Sequence, residues 1–279
     1  MKENICEIIN AINKFKCKNL HYDITKSIDY NINNYLVEYN NCFAGVNPPI
    51  LYIKTKINHP FFRLRKLCSI KDIDDVNEYS YPRNNFVMGR ANMPNKPVFY
   101  CSTSPITTIR ESKKHSRDAE YVISKWKLKD ENIELKIIPT FTNRTEHIFN
   151  NTIKKDGIKA IEKQKEYLKF IGEQILSKNY SNSAFLAYNL IYNNKYDIIR
   201  YPSIGLDKHP NMAISPQLID NGTIILDKVY MVKVSSDFDI TLNKIGVFGK
   251  NKPIWISNEN IEPNSELAME YRNYFKSNK

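Results

Sequence analysis

The sequence predicts an α+β fold, and three observations carry that prediction. Apolar residues recur at helical spacing in the first 45 positions and again between 158 and 192. Short runs rich in Ile, Val, Tyr and Phe, bounded by Pro, Asn and Asp, lie between and after these helices. The two kinds of segment do not alternate strand by helix, which favours α+β over a parallel βαβ architecture. The 279 residues suit one large domain with extensions, and 42% apolar with 25% charged residues is an ordinary globular balance. Only 8 glycines stand against propellers and loop-heavy all-β scaffolds.

Residues 1–45 read as two helices. Cys6, Ile8, Ile9, Ile12 and Phe15 form one stripe, and Ile28, Ile32, Tyr35, Leu36 and Tyr39 a second, with Asn19 and Asp23 as punctuation. Such stripes need a partner, so this segment is expected to pack on the rest of the chain or to form a homodimer contact. Asn47-Pro48-Pro49 then stops helix, because proline lacks a donor and restricts its predecessor. Ile50–Ile57 and Phe61–Leu67 read as strands, followed by an acidic loop through Tyr81-Pro82. Pro97–Ser102 is a short strand. Thr103-Ser104-Pro105 then starts a helix, with a hydroxyl cap and proline in the first turn, and that helix carries Glu111. Tyr121–Leu128 and Ile133–Ile138 read as strands and 140–151 as a polar stretch. Two helices, 158–176 and 183–192, come next. Tyr196–Tyr201 is a strand ending in Pro202-Ser203, and a glycine-containing loop runs to Asn211. Thr223–Val234 is the strongest strand signal; short strands at Ile240 and Ile254–Ile256 and a terminal helix complete the chain. The expected division is a helical extension (1–45), a catalytic domain (46–235) and a C-terminal extension packed on it (236–279).

The formal net charge of +11 invites a nucleic-acid reading. The basic residues are scattered, no block of five or six like charges occurs, and Lys is abundant alongside Asn and Ile, as in AT-rich genomes. A basic nucleic-acid binder is therefore the minor reading. The five cysteines are odd in number and widely spaced, which suits reduced thiols in a cytoplasm. Neither CxxC, HxxxH nor HExxH occurs, so no metal site is expected. No apolar run of 18 residues offers a membrane span, and Glu and Asn interrupt the segment where a secretory leader needs apolar continuity.

The common nucleotide signatures GxGxxG and GxxxxGK[ST] are missing, as are the kinase set and the GxSxG elbow. A site would have to be assembled from single residues. Five places stand out: Phe62-Arg63-Leu64-Arg65, Gly89-Arg90-Ala91-Asn92, Phe99-Tyr100, Ile109-Arg110-Glu111-Ser112, and Tyr201-Pro202-Ser203 with Asn211. Each has a plain structural reading. Arg63 and Arg65 fit an exposed strand face, Tyr100 a core position, Glu111 a helix surface, and Ser203 and Asn211 a turn and a loop. Taken in order, they resemble the RES family over roughly residues 46–235, with either Arg63 or Arg65 matching the family's first arginine.

The resemblance implies a fold like that of ADP-ribosyltransferases, with two small antiparallel sheets around an NAD+ cleft. It also implies a toxin that breaks the nicotinamide–ribose bond of NAD+ by hydrolysis or phosphorolysis, held in check by a small Xre-type antitoxin. NAD+ is then substrate, inorganic phosphate a candidate co-substrate, and no further cofactor is called for. Breaking that bond builds oxocarbenium character on the ribose while a neutral ring departs. A carboxylate near the ribose (Glu111) would offset the developing charge. Planar cations (Arg90 with Arg63 or Arg65) would hold the diphosphate, and an aromatic face (Tyr100) would support the nicotinamide or ribose. Ser203 would bond the carboxamide or a phosphate oxygen, and Asn211 a loop or a phosphate. Arg90, Tyr100 and Glu111 form the expected catalytic set. Two rival readings keep their place: a mono-ADP-ribosyltransferase modifying a protein, and a non-enzymatic interaction domain.

Overall fold

A computed structural model describes residues 2–18, 20–46, 50–84, 87–112, 119–155, 161–203, 209–248 and 252–276. In chain order the elements are α1 (Lys2–Lys16), α2 (Ile28–Phe43), β1 (Ile53–Lys56), β2 (Phe61–Lys66), β3 (Phe99–Ser102) and α3 (Pro105–Ser112). Next come β4 (Ala119–Leu128), β5 (Glu134–Pro139), α4 (Glu146–Lys155), α5 (Glu162–Leu176), α6 (Tyr180–Tyr188) and β6 (Ile198–Tyr201). The chain finishes with β7 (Asn211–Ile214), α7 (Gln217–Asp220), β8 (Ile224–Val234), β9 (Ile240–Phe248), β10 (Pro253–Ser257) and α8 (Glu266–Phe275). The fold is α+β, as expected. Two compact units cut across the linear order: 1–55 with 83–98 and 135–202, and 56–82 with 99–134 and 203–279.

The first unit is a helical layer with strands β1-β5-β6. The stripe on α1 finds its partner inside the chain. Phe15 is fully buried, with ring contacts to Tyr39 and Phe43 of α2 and to Phe170 of α5 at 5.7–6.1 Å. Gly172 lets α5 approach the chain at Phe141 closely, since a Cβ there would lie 2.1 Å from the Phe141 carbonyl oxygen. Strands β5 and β6 pair in parallel, Ile137 opposite Ile198. This departs from the antiparallel expectation, and the reason is the connection: α4, α5 and α6 lie between the two strands, and a long crossover of that kind joins parallel neighbours.

Two local expectations change here. The polar stretch 140–151 contains the start of α4, whose buried Phe149 and Ile153 are too few to register as a period. Helix α6 starts at Tyr180, where the Asn179 side chain accepts from the Ser181 N–H, and after Tyr188 it loosens into a π-helical turn, Asn189–Asn193. The expected helix start at Ile158 and the stop at 47–49 lie outside the described residues.

The second unit is an antiparallel sheet in the order β7-β3-β2-β4-β8-β9-β10. Its strongest pairing, β4 with β8, matches the longest apolar strand runs in the sequence. Strands β2 and β3 share a single register pair, Phe62 with Ser102, and part beyond it. Because side chains alternate along a strand, Phe62, Leu64, Tyr121, Ile123, Tyr230 and Val232 point to one face. There they bury Ile106 and Ile109 of α3 and Tyr271 and Phe275 of α8.

Helix α8 is also pinned by charge. Glu270 accepts from Lys125 Nζ (2.9 Å), Lys228 Nζ (2.6 Å) and the Tyr230 hydroxyl, and Lys125 also pairs with Asp227 at 2.9 Å. Burial alone would raise the Glu270 carboxyl, but hydrogen bonds from Lys228, Tyr230 and Lys125 outweigh it and hold the pKa below its ordinary value. Asp227 is lowered against burial in the same way, by Lys127 and Lys125.

Candidate active site

Helix α3 starts on Pro105, whose missing N–H is no loss in a first turn, and its apolar side seats on the sheet. Glu111 therefore arrives in the last turn, half-buried. Its Oε1 accepts from the Ser203 hydroxyl at 2.7 Å and from Asn211 Nδ2 at 2.6 Å. Both donors are buried, 4% and 6% exposed. Asn211 is the first residue of β7, a strand of four buried residues and not part of a loop; with no exposed position it shows no alternation. It stands opposite Ser102, so Asn211, Ser102 and Tyr100 share the face on which α3 lies. Ser102, which the sequence reading passed over, donates to the Pro210 carbonyl at 3.0 Å and steadies the entry to β7. Its signal was available: it lies two residues beyond Tyr100 on the same strand.

The two early arginines are separated by what each touches. Arg65 Nη1 meets Glu78 Oε2 at 2.9 Å and also donates to the Glu78 carbonyl, while Nη2 donates to the Ser69 carbonyl at 3.0 Å. Its charge is matched. Arg63 donates to the Tyr100 carbonyl at 3.1 Å, its guanidinium lies 5.7 Å from the Phe99 ring centroid, and its buried Nε has no partner. Burial and then the nearby charge of Arg65 pull its pKa down to about 10. Burial likewise raises the neighbouring Cys101 thiol, and Arg63 only partly counters this. Alternation puts Arg63, Arg65 and Phe61 on the face opposite Phe62 and α3. Arg63 thus stands where β2 and β3 part, and Glu111 lies on the other face.

Arg90 belongs to the first unit. Its Nη1 donates to the Ile175 carbonyl at 3.1 Å, near the end of α5, and its guanidinium lies 5.3 Å from the Tyr180 ring centroid. A cation suits that position, since the last carbonyls of a helix carry partial negative charge. The structure therefore gathers Glu111, Ser203 and Asn211 into one cluster on the Tyr100 face, sets Arg63 against the Tyr100 backbone, and gives Arg65 and Arg90 partners of their own. Among the described residues no three His, Cys, Asp or Glu side chains gather as metal ligands, and no helix is long and apolar enough to cross a membrane.

The RES domain model matches residues 71–224, more than half of the chain. This chain belongs to the RES domain family. The matched span contains Arg90, Tyr100, Glu111, Ser203 and Asn211, whereas Arg63 and Arg65 precede it. Among solved structures the chain is similar to one described as the M. tuberculosis MbcT–MbcA toxin–antitoxin complex. The two are 12% identical with a TM-score of 0.38, over 65% of this chain and 87% of that one. No curated protein matches the chain.

Proposed function

We propose that this RES domain is a toxin that cleaves the nicotinamide–ribose bond of NAD+, with Glu111 as its central carboxylate. One observation carries the reading: a carboxylate at the end of α3 accepts at Oε1 from two buried donors, Ser203 and Asn211. Donors fixed by burial hold a carboxylate in one orientation. A carboxylate fixed in orientation is what an oxocarbenium-like ribose needs as nicotinamide leaves. Ser203 and Asn211 then act on Glu111 rather than on the substrate. Tyr100, on the same sheet face, offers a ring for the nicotinamide or ribose. Arg65 is paired with Glu78 whereas Arg63 meets a backbone carbonyl, so a diphosphate reaching the opening between β2 and β3 would find Arg63 in preference to Arg65.

The family resemblance extends the reading to restraint by a small helical antitoxin. Co-expression with such a partner is expected to relieve toxicity.

The deciding experiment incubates purified protein with NAD+, with and without phosphate, beside Glu111→Gln. Wild type is expected to release nicotinamide, leaving free ADP-ribose if water is the acceptor and a phosphorylated product if phosphate is. Glu111→Gln keeps the shape and removes the charge. It is expected to slow turnover by roughly two to three orders of magnitude with little change in NAD+ affinity. A folded Glu111→Gln protein turning over at the wild-type rate would overturn the assignment.

A further inference from the structure

The last turn of α3 is gripped from two directions. On one side Ser203 and Asn211 hold Glu111. Arg110, one residue back and about 100° around the helix, extends its guanidinium to 5.7 Å from the centroid of the Phe238 ring, within cation–π range. Phe238 lies in the turn between β8 and β9, closed by hydrogen bonds from Phe238 N to Ser235 O (3.2 Å) and from Asp239 N to Ser235 Oγ (3.0 Å). Its φ is +70°, a left-handed conformation that a bulky side chain rarely adopts. The chain uses glycine for the same conformation at Gly222, φ +72°, in the turn before β8. At 238 a ring is kept despite the strain, and it packs against the core beneath α3. Strain of this kind persists where the surroundings demand that particular side chain.

We propose that Arg110 and Phe238 form a clamp that fixes the rotation of the last turn of α3 and so positions Glu111. The inference rests on the NAD+-cleaving reading above. Phe238 lies beyond the matched RES span of 71–224, so the C-terminal region contributes to the site without touching the reacting atoms. Both are positioning residues. A small rotation of one helical turn displaces the carboxylate by a distance to which a transition state is sensitive.

The test uses the full chain and reads steady-state NAD+ cleavage, NAD+ affinity by calorimetry and thermal unfolding together. Arg110→Gln and Phe238→Asn, the latter tolerant of positive φ, are each expected to lower kcat on the order of ten-fold with KM unchanged. Arg110→Lys and Phe238→Trp should restore most of the rate, since an ammonium still pairs with a ring and indole is the stronger partner. The double variant should be no slower than the slower single one, because both remove the same contact. Arg110 is exposed, so Arg110→Gln should unfold at the wild-type temperature, and if Phe238→Asn does not fold, Arg110→Gln and Phe238→Trp decide. Wild-type kcat in Arg110→Gln, a raised KM, or independent losses in the double variant would each overturn the clamp alone, provided wild type and Glu111→Gln separate as proposed. A wild type that neither binds nor cleaves NAD+ would overturn the functional reading, and the clamp with it.

Discussion

The two compact units are held together by different chemistry. At the centre of the first, aromatic rings from α1, α2 and α5 meet edge to face. Among its buried polar contacts is a hydroxyl pair, Tyr39 with Tyr167 at 2.5 Å. Burial pushes the Tyr39 hydroxyl up to about 12 and Tyr167 well above its usual range, so both stay neutral. The second unit instead binds its terminal helix through an ion network around Glu270 and carries the Glu111 cluster on the same sheet. A neutral interior tolerates pH and is vulnerable to volume. A charged one is vulnerable to protonation, and it is the unit in which an ionised carboxylate can be kept in place.

The comparison can be broken first where volume matters most. Gly172→Ala drives a Cβ against the Phe141 backbone, and backbone cannot turn aside as a side chain can. Destabilisation of more than about 3 kcal/mol is expected in urea denaturation. Near-wild-type stability would mean that α5 does not seat there.

The ion network comes next. Glu270→Gln leaves Lys228 without its carboxylate in a half-dry site, expected to cost about 2–4 kcal/mol. Glu270 and Asp227 both titrate below their ordinary values in the folded chain. Their contribution is therefore complete above the unfolded carboxylate range, near pH ~4, and is lost as pH falls through the lower folded values. Glu270→Gln should flatten the dependence of stability on pH in that acid window, with its full cost present near neutrality and no change of slope there; an unaltered acid slope would remove Glu270 from the account.

Two smaller effects sharpen the contrast. Tyr39→Phe leaves the buried Tyr167 hydroxyl without its partner and should cost about 1–2 kcal/mol, independent of pH from 5 to 9. Thr107, fully buried on α3, has a hydroxyl with no partner, while Thr108 beside it bonds the Pro105 carbonyl at 2.6 Å. Thr107→Val removes an unmet polar group at nearly constant shape. A gain of about 0.5–1 kcal/mol is expected, read as a higher unfolding temperature.

Local signals carried the elements whose chemistry is local. The stripes on α1 and α2, the proline start of α3 and the long runs of β4 and β8 were each legible, because a helix or strand shows its buried face as a period. β7 was not legible, since burial on both faces erases that period. Nor was α4, with two buried apolar residues among polar ones. Among the candidate residues, what sets Arg65 apart from Arg63 is its contact with Glu78, thirteen positions further on in the acidic loop.

The sequence by itself determined the fold class, the start of the helix that carries Glu111 and, through the order of its arginines, tyrosine, glutamate and serine, the family. Only the tertiary structure decided what those residues touch. Ser203 and Asn211 reach Glu111 across 92 and 100 positions of chain. No spacing rule spans such distances; the register of β7 against β3 sets one contact and the seating of α3 on its sheet sets both. The same holds for Arg110 and Phe238, where one exposed cation and one turn residue become partners only because α3 and the β8–β9 turn pack around a single core.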